Sequence, residues 1–182
     1  MNDLRRRDAT PIEHLPQPAP VDDDTYPAIT VWQPWAMLIS GGAKPFEFRH
    51  WPAPKRLWGR RVAIHAGARP ARQSEIRDLL LTLQSSYWRD AALDRDPAIK
   101  ILERALLAPR SLPHRAVLCL ATLGQPIRNN ELSAALGVPC VHDSDRGEHT
   151  NWGWPLTDIE PLQPFVPATG AQGWWNWKRV AP

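Results

Sequence analysis

The stretch Ile29–Ala66 reads ITVWQPWAMLISGGAKPFEFRHWPAPKRLWGRRVAIHA. Ile29 to Trp32 is a short β-rich run. Gln33-Pro34 opens a helix, because a proline near the first helical position gives up an N–H that would have no partner there. Trp35, Leu38 and Ile39 follow i, i+3, i+4 spacing and form one apolar face. Gly41-Gly42 stops that helix. Phe46 to Trp51 alternates as a strand does, with Phe46, Phe48 and His50 on one side and Glu47, Arg49 and Trp51 on the other. Val62 to His65 is a further strand, ended by Gly67.

The same stretch carries the chemistry. It holds four tryptophans, and between Lys44 and Arg72 eight basic residues stand against Glu47 alone. Aromatic faces interleaved with cations suit a flat anionic ligand, and nucleotides are the common ligand of that kind: cations meet phosphates and bases stack on rings. The alternative is a Trp-rich core beneath a solvated basic face. Lys44, Glu47 and Arg49 are the polar set of most interest. Glu47 and Arg49 share a strand face and can point into one cleft. Such a set can be structural or ligand-binding, with Glu47 fixing Arg49 or Lys44. It can also be reactive, with a desolvated lysine as nucleophile or base. His65 ends its strand beside Ala66 and Gly67, where a ligand can approach closely. Most such histidines are hydrogen-bonded parts of the scaffold.

Working outward, residues 1–26 form a proline-rich tail closed by Asp22, Asp23 and Asp24. That composition buries too little apolar surface to offset the entropy of ordering, and disorder or an extended arm is expected. Arg69 to Pro113 reads as an inserted helical pair: Ile76, Leu79, Leu80 and Leu83, then Ile99, Leu102, Leu106 and Leu107 after a break at Pro97. Ala116–Leu123 is continuously apolar, as a central strand is. Asn130–Leu136 is a short helix ended by Gly137, and Trp152–Ile159 and Gly173–Val180 are late strands. The pattern predicts an α+β domain over 27–182, built as a small closed β-barrel with flanking helices and the insertion at about 69–113.

With 182 residues, one domain with extensions is expected. The net charge of +3 is mild, so local clustering says more than the total. Two cysteines outside any C-x-x-C pair suggest free thiols in a reducing compartment. No apolar run reaches the ~20 residues of a membrane span, and no secretory signal opens the chain, so a cytoplasmic location is the expectation. Cys140, His142, Asp143, Asp145 and His149 lie close together, but their spacing fits no metal motif; a solvated loop is expected, with no metal and no cofactor. Neither a G-x-S-x-G elbow nor a phosphate loop is present. The late tryptophans belong mostly to the core, with one or two able to line a cleft.

VWQPWAMLISGGAKPFEFRHW, GRRVAIHA, AVLCLATL, WGWPLTDIEPLQPF and GAQGWWNW, in this order from about Ile29 to Lys178, resemble the ASCH domain (activating-signal-cointegrator homology), a relative of the PUA fold. The resemblance implies a PUA-like barrel with a nucleic-acid cleft beside the first helix and the strand after it. Carried over by motif, Gln33, Trp35, Lys44, Glu47, Arg49, Trp51 and His65 are the positions of interest, with Lys55, Arg56, Arg60 and Arg61 as a phosphate track. RNA is the expected partner ahead of DNA. Some relatives are enzymes, a ribonuclease and an acylcytidine amidohydrolase among them, and Lys44 and Glu47 would be catalytic in a hydrolase of that kind. The amidohydrolase branch carries threonine where this chain has Glu47, so its hydroxyl nucleophile is missing here. A third alternative is a protein-interaction domain that uses the proline-rich tail as a ligand.

Overall fold

The computed structural model describes residues 24–141 and 151–179. Most of the expected tail, and His142, Asp143, Asp145 and His149 of the polar loop, lie outside the described residues. The strands are β1 (Thr25–Val31), β2 (Phe46–Arg49), β3 (Arg61–Ala66), β4 (Ala116–Leu123), β5 (Ile127–Arg128), β6 (Trp152–Pro167) and β7 (Trp174–Lys178). The helices are α1 (Trp35–Ser40), α2 (Gln73–Gln84), α3 (Arg95–Leu107) and α4 (Asn129–Leu136).

The strands make one seven-stranded mixed sheet in the order β2-β6-β4-β3-β1-β7, with β5 also on β6. Only β1 and β3 run parallel, with Ile29 beside Ile64 and Thr30 beside His65. β4 lies between β3 and β6 and is buried along nearly its whole length, as its unbroken apolar run foretold. The α+β class therefore holds, but the closed barrel does not form. Among the described residues no ladder joins β2 to β7. β2 has only four residues, and its closure onto β1 is made by a side chain: Arg49 Nη2 donates to the Thr30 carbonyl at 2.9 Å. Trp154 of β6 also stacks on Trp174 of β7 at 5.5 Å. The sheet curls, and side chains bridge the gap.

Strand and helix bounds differ from expectation in instructive places. β1 begins at Thr25, inside the stretch read as tail, because Tyr26 packs on Trp177 of β7 at 6.0 Å. β6 runs on to Pro167, well past Ile159, through prolines at 161 and 164. Pro161 and Pro167 stand opposite Cys119 and Ala116 in a ladder with two register shifts, and irregular ladders are where strands tolerate proline. Pro97 sits in the first turn of α3, where no helical N–H is needed; the break between the paired helices lies at 85–94 instead. α4 ends at Gly137, whose φ of +68° favours glycine.

Helix α1 is buried on more than one face. Ile39 joins the sheet core with Val31, Ile64, Leu118 and Trp154. Leu38 joins a second core built by the insertion, with Ile76, Leu83, Leu102 and Ala105. The insertion thus packs against α1 and holds it onto the sheet.

Candidate nucleic-acid interface

Lys44 is delivered by the turn that ends α1: the amides of Ala43 and Lys44 both donate to the Leu38 carbonyl, at 2.8 and 3.2 Å. Its side chain is 0% exposed. The ammonium lies 5.0 Å from the centre of the Trp35 ring and 4.8 Å from that of Phe48. It stands 3.9 Å from Glu47 Oε2. Glu47 is buried, and its Oε1 accepts from Arg49 Nε at 2.9 Å and pairs with Nη2 at 2.8 Å. The ring faces and the carboxylate together compensate a cation taken out of water. Lys44, Glu47 and Arg49 therefore do converge, in a closed, ion-paired line that leads outward to Arg49, whose side chain is 22% exposed.

Arg49 is where that line meets an aromatic mouth. Its guanidinium lies 5.6 Å from the centre of the Trp51 ring. Trp51 meets Trp154 edge-on at 5.9 Å, and the Trp51 carbonyl accepts from Trp154 Nε1 at 3.1 Å. Across the β2–β6 ladder Arg49 stands opposite Trp152, and across β5–β6 Trp152 stands opposite Arg128. Residues opposite one another in a ladder share a face, so Arg128, Trp152 and Arg49 form one row across three strands. The Arg128 guanidinium lies 4.5 Å from the centre of the Trp152 ring. Gly153 between the two tryptophans turns to the other face, where an added Cβ would come within 2.9 Å of Leu132 and 3.3 Å of Phe48. Arg128 carries no signal in the sequence, because it is far from the basic stretch. The Trp-Gly-Trp alternation is the signal that points to Trp152.

Other expected site residues are engaged inside the fold. Gln33 is buried; its Oε1 accepts from the Met37 amide at 3.1 Å and its Nε2 donates to the Pro113 carbonyl at 2.6 Å, tying α1 to the end of the insertion. Trp35 serves as one of the rings over Lys44. His65 is buried on the opposite side of the sheet, edge-on to Trp175 at 5.5 Å. Its Nε2 donates to the Ala168 carbonyl at 3.0 Å, and its Nδ1 lies 3.2 Å from the Thr30 hydroxyl oxygen, which donates to the Ala171 carbonyl at 2.9 Å. Burial lowers its pKa from 6.5, and the bond to Ala168 offsets part of that shift.

The basic residues divide. Lys55, Arg56 and Arg60 are exposed around the turn Lys55–Leu57, with Lys55 5.9 Å from the centre of the Trp58 ring. Arg61 is tied down: it pairs with Glu160 at 2.8 Å and donates to the Asp158 carbonyl at 2.5 Å. Of the two free cysteines, Cys119 is buried, which pushes its thiol up to about 12, and Cys140 is exposed. Among the described residues no group of three or more His, Cys, Asp or Glu could hold a metal ion. No helix among them is long and apolar enough to cross a membrane.

No family model matches the chain. No curated protein matches it either. Among solved structures it is similar to an ASCH protein from Zymomonas mobilis, at 17% identity and a TM-score of 0.41, over 78% of this chain and 73% of that one. A serine-to-alanine mutant of the Zymomonas mobilis protein is similar at 16% identity and a TM-score of 0.43, over 81% and 77%. Both bear the name of the family that the sequence resembles.

Proposed function

We propose that the chain is a nucleic-acid-binding module, with RNA as the preferred ligand, that holds a nucleotide at the mouth formed by Arg49, Trp51 and Trp152. The observation that carries this is the line Lys44–Glu47–Arg49, in which a fully covered ion pair fixes one partly exposed guanidinium beside an indole. A guanidinium held through Nε and Nη2 offers its remaining N–H groups to phosphate or to a base edge, and the indole offers a stacking face. Lys55, Arg56 and Arg60, exposed and without a carboxylate partner among the described residues, supply phosphate contacts; Arg61 is already neutralised by Glu160. In this arrangement Lys44 and Glu47 are supports, and Gln33, Trp35 and His65 hold the elements around the mouth. The free thiols of Cys119 and Cys140 fit a reducing compartment such as the cytoplasm.

The test is a titration of labelled single-stranded RNA and DNA against salt, with the triple substitution Lys55→Ala, Arg56→Ala, Arg60→Ala alongside. Binding that weakens with salt, and a shallower salt dependence in the variant, are expected. Affinity indifferent to both would sink the proposal.

A hydrolase acting on RNA or on an acylated cytidine is the second reading, supported by a lysine 3.9 Å from a buried carboxylate. Its substrate would have to displace the Trp35 or Phe48 ring to reach Lys44 Nζ. Incubation with acylated cytidines and labelled RNA separates the two: turnover that disappears in Lys44→Ala while RNA affinity persists would favour the enzyme.

A further inference from the structure

We infer that Arg128 and Trp152 form a second nucleotide subsite, one that takes an unpaired base neighbouring the nucleotide at Arg49. This rests on the nucleic-acid reading above and names residues outside the basic stretch from which that reading began.

Three observations carry it. First, Trp152 is flanked in register by two arginines, Arg49 on β2 and Arg128 on β5. Two strand spacings, roughly 10 Å, separate those arginines, so they can contact successive parts of one strand of nucleic acid. Second, Arg128 is exposed, and its guanidinium lies over the Trp152 ring at 4.5 Å. No carboxylate among the described residues pairs with it. The indole attracts the cation through its ring face, which keeps one side of the guanidinium out of water and leaves the other side open. Bases stack on guanidinium planes as they do on aromatic rings. Third, the row is rigidly seated. Gly153 brings Phe48 and Leu132 against the far side of β6, and Trp154, one residue on, stacks on Trp174.

The chemistry selects the ligand. A base can lie on Arg128 only if its own face is free, so the ligand is single-stranded at this position; in a duplex the faces are occupied by neighbouring pairs. Ammonium cannot replace guanidinium here, because lysine carries the charge without the plane. Arg128 is thus a stacking platform first and a phosphate contact second.

The experiment measures affinity by fluorescence anisotropy for an about 12-nucleotide single-stranded RNA and for an abasic strand of the same length. The proteins are wild type, Arg128→Lys and Trp152→Phe, each checked by its thermal unfolding. Arg128→Lys is expected to weaken binding of the base-bearing RNA about fivefold or more and to leave the abasic strand bound as by wild type. Trp152→Phe keeps a ring face and is expected to lose less. If Arg128→Lys binds both strands as wild type does, or weakens both equally, the stacking subsite is wrong while the mouth at Arg49 stands. If wild type binds neither strand in a salt-dependent way, the nucleic-acid reading fails and the subsite falls with it.

Discussion

Two rows that lie two residues apart along β2 and β6 use cations and indoles for opposite ends. At the row of Glu47 and Trp154, a lysine and a carboxylate are closed in by Trp35, Phe48 and the sheet. At the row of Arg49 and Trp152, arginines lie over indoles and keep contact with solvent. The inner charges are compensated within the fold and have little to offer a ligand. Of the outer ones, Arg49 is held through Nε and Nη2 by Glu47 and the Thr30 carbonyl, and Arg128 lies over the Trp152 ring with no carboxylate partner among the described residues. Burial, more than residue identity, separates support from contact.

The comparison breaks most visibly at its inner row. Glu47→Ala takes the carboxylate from both Lys44 and Arg49 and should lower the unfolding free energy by about 3–5 kcal/mol in urea titration; Lys44→Ala leaves Glu47 its bond to Arg49 and should cost less. The double substitution Lys44→Met with Glu47→Gln should be much less harmful than the sum of the two single changes. A loss below about 1 kcal/mol in each single variant would mean that the pair is not closed in as described. Next in size is the seat between the rows. Gly153→Ala puts a Cβ against Leu132 and Phe48, and overpacking of that kind should cost about 1–3 kcal/mol by thermal or urea unfolding.

A smaller, pH-dependent effect belongs to His65, away from both rows. Its folded pKa lies below 6.5 because burial disfavours the charged ring. The unfolded chain therefore binds the proton more readily, and stability rises with pH across this window. The contribution is fully present above 6.5 and is lost as pH falls below it toward the folded value. Urea midpoints at about pH 7.5 and about pH 5.5 should differ more in wild type than in His65→Gln; equal differences would contradict the neutral, buried ring. Smallest is Arg61→Ala, which removes a part-exposed pair with Glu160 and should cost no more than about 1 kcal/mol.

Much of the fold was legible because it rests on local pattern. The Phe46–Arg49 alternation put Glu47 and Arg49 on one face, the apolar run Ala116–Leu123 marked the strand between β3 and β6, and Gly137 marked a helix end. Long-range packing was not legible. That Tyr26 extends β1 depends on Trp177, and that β6 continues through its prolines depends on Ala116 and Cys119, partners far from them along the chain. The closed barrel was expected from the strand pattern as well as the family likeness, and the gap between β2 and β7 is a matter of ladder length that no local pattern records. In the site, the line from Lys44 to Arg49 could be read from spacing, whereas Arg128 could not, because cross-strand register brings it in.

The most direct test of the account is the salt dependence of wild-type affinity for a single-stranded RNA of about 12 nucleotides. Two or three phosphates neutralised by the exposed bases should make the logarithm of affinity fall linearly with the logarithm of salt, with a slope of roughly −1.4 to −2. A slope indistinguishable from zero, or no binding at low salt, would contradict an outer row built for nucleic acid.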